Sequence, residues 1–192
     1  MRLIQKKNFN HKKIENSNYE STVFKDVFFK FSVFSEKKFL DCNFSNVDFG
    51  ESDILNCSFV DCNFSNCEFF HTNFKNCLFK NINASGFDLR GGTLIENIFD
   101  NCNFFCSRIR GSKFLKNKFN NFCLNSCDAK NTIFESNSYK NTIYKYSNFF
   151  KSVFIGEDMK NLIFKDCNTF LCSGKEVTGY QSLNLDEYSF FT

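Results

Sequence analysis

The sequence has no proline and no tryptophan, only two histidines and two methionines, and, on a direct count, two alanines in 192 residues. Helices lean on Ala and Leu, so two alanines argue against a helical bundle. No apolar run approaches the ~20 residues of a membrane span. Met1-Arg2-Leu3-Ile4-Gln5-Lys6-Lys7 carries no apolar stretch behind its charges, so a secretory leader is not expected and the cytoplasm is the expected location. Charge of one sign is lacking too. The 24 basic and 21 acidic residues leave +3, too balanced for a chain built to bind nucleic acid directly. No Gly-rich phosphate motif occurs. What is present in excess is Phe, at 30 residues, and Asn, at 27.

The Phe residues are periodic. Stepping by five from Phe9 to Phe164 meets 32 positions, every one apolar or aromatic, and 20 of the 30 Phe lie on them. Chance would give such a run with a probability of roughly 10⁻¹². Two residues earlier stands a small side chain: Cys, Ser, Thr, Val or Gly in 21 of the 32 repeats. The stretch CNFSN VDFGE SDILN CSFVD CNFSN CEFFH TNFKN CLFKN, ending at residue 81, shows the unit as small–x–Phe–x–x.

A period of five suits neither common element. On a helix it rotates the apolar position by about 140° per repeat, and on a straight strand it alternates faces. A chain that buries every fifth residue must turn a corner each time. Four corners close a coil of about twenty residues, and about eight coils stack into a rod of ~38 Å. The large residue and the small one two before it then point inward, and residues twenty apart stack. Asn97, Asn117 and Asn137 form one inward series, able to bond along the axis as amide ladders do. Phe87 and Phe122 take small positions while Ala84 and Ala129 take large ones, which reads as a volume trade with local widening.

This repeat resembles the pentapeptide-repeat family, over residues 9 to 166. The resemblance implies an all-β, right-handed quadrilateral parallel β-helix. It divides the chain into an N-terminal cap (1–8), the β-helix (9–166) and a C-terminal segment (167–192). Family members of this size and layout imply a protein partner, a type II topoisomerase such as DNA gyrase or topoisomerase IV, protected from quinolone-like drugs or peptide toxins. The alternative is a scaffold or bacterial effector adaptor with an unrelated partner. Two features depart from the topoisomerase-binding members. No insertion breaks the period, so no loop projects, and no edge is acidic by more than one charge, which disfavours a purely electrostatic mimic of DNA.

No catalytic, cofactor or metal site is expected. Seven cysteines (42, 57, 62, 67, 77, 102 and 127) are inward small residues, and Cys167 continues the pattern. Cys106 and Cys123 are expected at the surface. His11 and His71 fall on outward positions about three coils apart, too far for a nucleophile–base pair. The candidate contact residues are large outward ones. One edge carries Phe28, Phe31, Phe70 and Phe150 with Arg90, Arg108 and Arg110. The next carries a stripe of Leu55, Ile95, Leu115 and Ile155. A stripe along a rod marks a contact surface more often than scattered apolar residues do. Tyr180, Leu183, Leu185, Tyr188, Phe190 and Phe191 are expected to cap the last coil or to form a homodimer contact.

Overall fold

The computed structural model describes residues 1–14 and 18–175. The chain is an all-β parallel solenoid of about eight turns, and every ladder pairs a residue with the one twenty further on. Each turn has four faces. The first is a column of single bridges, Asn8–Phe28–Asp48–Glu68–Asp88–Arg108–Asp128–Asn148–Asn168. The second is a nine-stranded sheet that includes Val33–Ser35, Asp53–Leu55 and Asn73–Lys75. The third and fourth faces, typified by Ser58–Val60 and Asn63–Ser65, join into one fourteen-stranded sheet, because Ile98–Phe105 and Lys118–Asn125 run round the corner between them.

The corners are made by backbone. Among the described residues every fifth one, two after the large inward one, has positive φ, mostly near +55°, with Asn161 the exception; 28 of these residues are not glycine. None of the 28 is Val, Ile or Thr, whose branched Cβ fits the left-handed region worst, and Asn and Asp recur because they tolerate it. This position carries the corner, and the Asn excess of the sequence is its visible mark.

The interior follows the expected alternation. From Phe24 to Phe164 every fifth residue is buried, and the rings stack twenty apart: Phe39 on Phe59 at 4.8 Å, Phe44 on Phe64 at 4.7 Å, Phe79 on Phe99 at 4.8 Å. The small inward residue has a second duty beyond its size. Its donor reaches the carbonyl of the large residue one coil back: Ser52 Oγ to Phe29 O at 2.6 Å, Thr72 Oγ1 to Phe49 O at 2.8 Å, Cys77 Sγ to Ile54 O at 3.3 Å. Alanine is small enough for the place but has nothing to donate. The inward cysteines are therefore weak donors as well as small residues.

The amide series is present. Asn97 Nδ2 donates to Asn117 Oδ1 at 3.0 Å and Asn117 Nδ2 to Asn137 Oδ1 at 3.1 Å, while the same amides also donate to Phe74 O and Leu94 O. It ends on Glu157, whose Oε1 accepts from Asn137 Nδ2 at 2.9 Å. The ladders keep their register past Ala84, and the volume trade with Phe87 is incomplete: a cavity of about 30 Å³ remains among Ala84, Phe87, Phe104 and their neighbours.

The coil is longer than the 9–166 expected. Arg2–Gln5 already pairs with Thr22–Lys25, and Ile4 takes an inward place. At the other end Asn168 bridges Asn148, and Ser173–Lys175 pairs with Val153–Ile155. The amino-acid pattern fades there before the backbone pattern does, because Thr169 stands where a large residue is usual. One 3₁₀ turn, Met159–Asn161, interrupts the corner series, with Asp158 Oδ1 accepting from the Lys160 amide. No helix of the described residues is long and apolar enough to cross a membrane. The C-terminal candidates Tyr180, Leu183, Leu185, Tyr188, Phe190 and Phe191 lie outside the described residues.

Candidate functional site

With the interior filled by packing, the chemistry available to a partner is on the outward positions. The first face brings most of the sequence candidates together, in columns set by the twenty-residue turn. Phe28, Phe31 and Phe70 are 47, 43 and 41% exposed, far more than a phenyl ring needs for packing alone. Phe31 stacks on His11, with ring centroids 4.8 Å apart. The Arg90 guanidinium lies 5.7 Å from the Phe70 ring centre and the Lys30 ammonium 5.9 Å from that of Phe31. Such cation–ring contacts hold exposed rings in place at small cost.

Acids in the neighbouring column compensate these cations. Arg90 grips Asp88 through Nε to Oδ1 at 2.9 Å and Nη2 to Oδ2 at 2.7 Å, with Arg108 Nε at 3.6 Å from the same carboxylate. Burial alone would raise the Asp88 carboxyl. The hydrogen bonds and charge of Arg90, with Arg108 adding, outweigh burial and hold it below its ordinary value. Lys30 Nζ stands 3.9 Å from Asp48.

Arg110 lies further along the same face, exposed, with Phe150 half-buried two coils on. Phe150 stacks on Phe170 at 6.1 Å, a ring missing from the sequence candidates because the coil was expected to stop at residue 166. The signal for it was the position itself, twenty residues after Phe150. The second face holds Leu55, Ile95, Leu115 and Ile155 in one register column, but half-buried, with the exposed charges of Lys75 and Glu135 between them. That stripe is interrupted.

The two histidines stay apart. His11 and His71 sit at corners three coils apart, and His71 Nδ1 faces Gly91 O at 3.2 Å. Cys106 is exposed and Cys123 half-buried, while the seven inward cysteines are buried. Burial pushes the Cys67 and Cys102 thiols up to about 12, far from nucleophilic thiolates. Among the described residues no group of three His, Cys, Asp or Glu converges on a metal position.

Residues 42–81 match the family of pentapeptide repeats, in eight copies, and the same five-residue step runs on at both ends of that segment. Over that segment the chain is built of pentapeptide repeats. Among solved structures, this pentapeptide-repeat chain is similar to a trypsin-treated form of QnrB1, a plasmid-mediated fluoroquinolone resistance protein. The identity is 14% and the TM-score 0.48, covering 99% of this chain and 90% of that one. It is similar also to HetL, a pentapeptide-repeat protein involved in heterocyst differentiation regulation from the cyanobacterium Nostoc sp. strain PCC 7120. There the identity is 9% and the TM-score 0.35, with coverage of 91% and 86%. No curated protein sequence matches the pentapeptide-repeat chain.

Proposed function

We propose that the protein is a non-enzymatic rod that binds another protein through its first face. The supporting observation is the set of exposed phenyl rings, Phe28, Phe31 and Phe70, the last two beside cations, on a face paired from coil to coil by single bridges. Large apolar groups held outward on a rigid scaffold are what a protein interface uses as anchors. In its specific form, the reading is a factor that binds a type II topoisomerase, DNA gyrase or topoisomerase IV, and protects it from quinolone-like drugs or peptide toxins. The family match supports that form, because the best-understood members do this.

The test is a supercoiling reaction with purified gyrase, with and without a quinolone. Protection by the intact rod that is lost in a Phe28→Ala/Phe31→Ala/Phe70→Ala variant is the expected result. Absence of inhibition, of protection and of co-purification with gyrase removes the topoisomerase reading. A second reading, a scaffold or effector adaptor for an unrelated partner, is favoured by the unbroken ladder register from Asn18 to Asp158, which leaves no projecting loop for a topoisomerase to engage.

A further inference from the structure

The first face changes character along its length. Up to Arg108 its cations Lys30, Arg90 and Arg108 pair with Asp48 and Asp88 of the bridge column, and Glu68 stands between those two acids. Beyond Arg108 that column reads Asp128, Asn148, Asn168, so the acids thin out while the cations persist as Arg110, Lys130 and Lys151. None of these three makes an ion pair among the described residues. They line a groove of about 490 Å³ with Asn131, Asn148, Phe150 and Asn168, and no carboxylate is in its wall. The nearest acid of the column, Asp128, directs Oδ1 at the Lys130 backbone amide, at 3.4 Å.

The amides of the groove are oriented too. Asn148 Oδ1 accepts from the Phe150 backbone amide at 3.1 Å and from Asn168 Nδ2 at 3.3 Å, and Asn168 Oδ1 accepts from the Phe170 amide at 3.0 Å. Their carbonyl oxygens are engaged, so Asn148 presents N–H to the groove. The site thus offers donors and positive charge, with a phenyl pair at one end.

We infer that this groove binds a short acidic segment of a protein partner in extended form, carboxylates toward Arg110, Lys130 and Lys151 and an apolar residue against Phe150 and Phe170. Arg110, Lys130 and Phe150 are on successive coils, so the groove spans about 10 Å, or roughly three residues of extended chain. That length suits a peptide and is too short for the phosphate footprint of a duplex. A single-stranded nucleic acid needs an open ring to stack on. The Phe150 ring is already engaged by Phe170 and by the Lys151 ammonium, 5.2 Å from its centre, which leaves the Phe170 ring, 53% exposed, as a platform for one base at most.

The inference rests on the protein-binding reading and is tested separately from it. Fluorescence anisotropy at low salt would compare a labelled peptide of alternating Glu and Leu, its Gln counterpart, and a thymidine oligonucleotide of matched charge. The acidic peptide is expected to bind best and to weaken with salt. Its affinity should fall roughly ten-fold or more in Arg110→Glu/Lys130→Glu/Lys151→Glu and hold in the control Lys80→Glu/Lys140→Glu. The neutral set Arg110→Gln/Lys130→Gln/Lys151→Gln guards against a reversal that fails to fold, and circular dichroism checks both. Tighter binding of the oligonucleotide, equal binding of the Gln peptide, or indifference to the groove variants overturns the inference. Partner capture that survives the groove variants but is lost on removing Phe28, Phe31 and Phe70 overturns the groove and keeps the rod as a binder.

Discussion

Residues 22–81 and residues 132–165 share one backbone plan and differ in what fills it. In the first region nearly every large inward place holds a phenyl ring, stacked on its neighbours above and below. In the second the same column positions hold Tyr139, Tyr144 and Met159, a small position holds Glu157, and a 3₁₀ turn replaces one corner. Tyr139 Oη, Tyr144 Oη and Glu157 Oε2 are buried there with no hydrogen-bond partner. The coil accepts polar groups inside when each can donate to a carbonyl one turn back, as the serines, threonines and asparagines do. It has no such answer for a phenol or a carboxylate. The first region is therefore the stable one, and the second is where conditions act on the rod.

The largest effect expected from breaking that comparison is in the stacked region. Phe59 sits between Phe39 at 4.8 Å and Phe79 at 5.3 Å, 1% exposed. Phe59→Ala leaves a ring-sized hole that rigid ladders cannot collapse into, a loss of about 3–5 kcal/mol in urea unfolding. A loss below about 1 kcal/mol would mean that the stacks do not hold the rod together.

Glu157 gives the next largest effect, with the opposite sign. Burial raises its carboxyl to about 7 from 4.5, against the neighbouring Tyr139 hydroxyl and hydrogen bonds from Asn137, and with Glu135 adding repulsion. Below pH 4.5 the group is protonated both folded and unfolded, so its full contribution is present. As pH rises toward about 7 the unfolded chain gives up its proton first, and stability falls by about 3 kcal/mol in total before levelling off. Glu157→Gln should abolish that fall: little change in acid, and a gain of about 3 kcal/mol well above pH 7. Equal unfolding midpoints for the two proteins across that window would show that Glu157 is solvated.

The fold was legible because a five-residue period allows one economical answer, and because the side chains that mark it are the ones that pack. Phe44, Phe59 and Phe69 needed no structure to be placed. The corner was legible only as composition: Asn46, Asn56 and Asn76 were surplus polar residues until their φ values gave the reason. The coil runs past the side-chain pattern at both ends, at Ile4 and at Thr169, since a ladder closes through backbone and continues where side chains have stopped advertising it. The contact face was half legible. Sequence position put Phe28, Phe70 and Arg90 on one side, but which cations are neutralised depends on the distance between columns. Asp88 takes Arg90 and Arg108 while Arg110 stands free, and one-dimensional spacing cannot separate those cases.

The smallest expected effect sharpens the comparison within the second region. Tyr144 is fully buried against Phe134, Phe149 and Phe164, and its hydroxyl finds no partner. Burial raises its ionisation well above the ordinary value, so the phenol stays neutral and its cost is desolvation alone. Tyr144→Phe keeps the ring and removes the stranded hydroxyl. It should stabilise the rod by about 1 kcal/mol, in the range of an unsatisfied neutral donor, at every pH. Tyr146, 57% exposed at a corner, is the control, and Tyr146→Phe should leave the unfolding midpoint unchanged. If Tyr144→Phe destabilises instead, the hydroxyl is bonded in solution, most directly to Tyr139, which in turn faces Glu157, and the gain expected for Glu157→Gln must shrink with it. The double variant measures that link: additive gains mean the two groups are separately unsatisfied, and a shortfall means they are coupled through Tyr139.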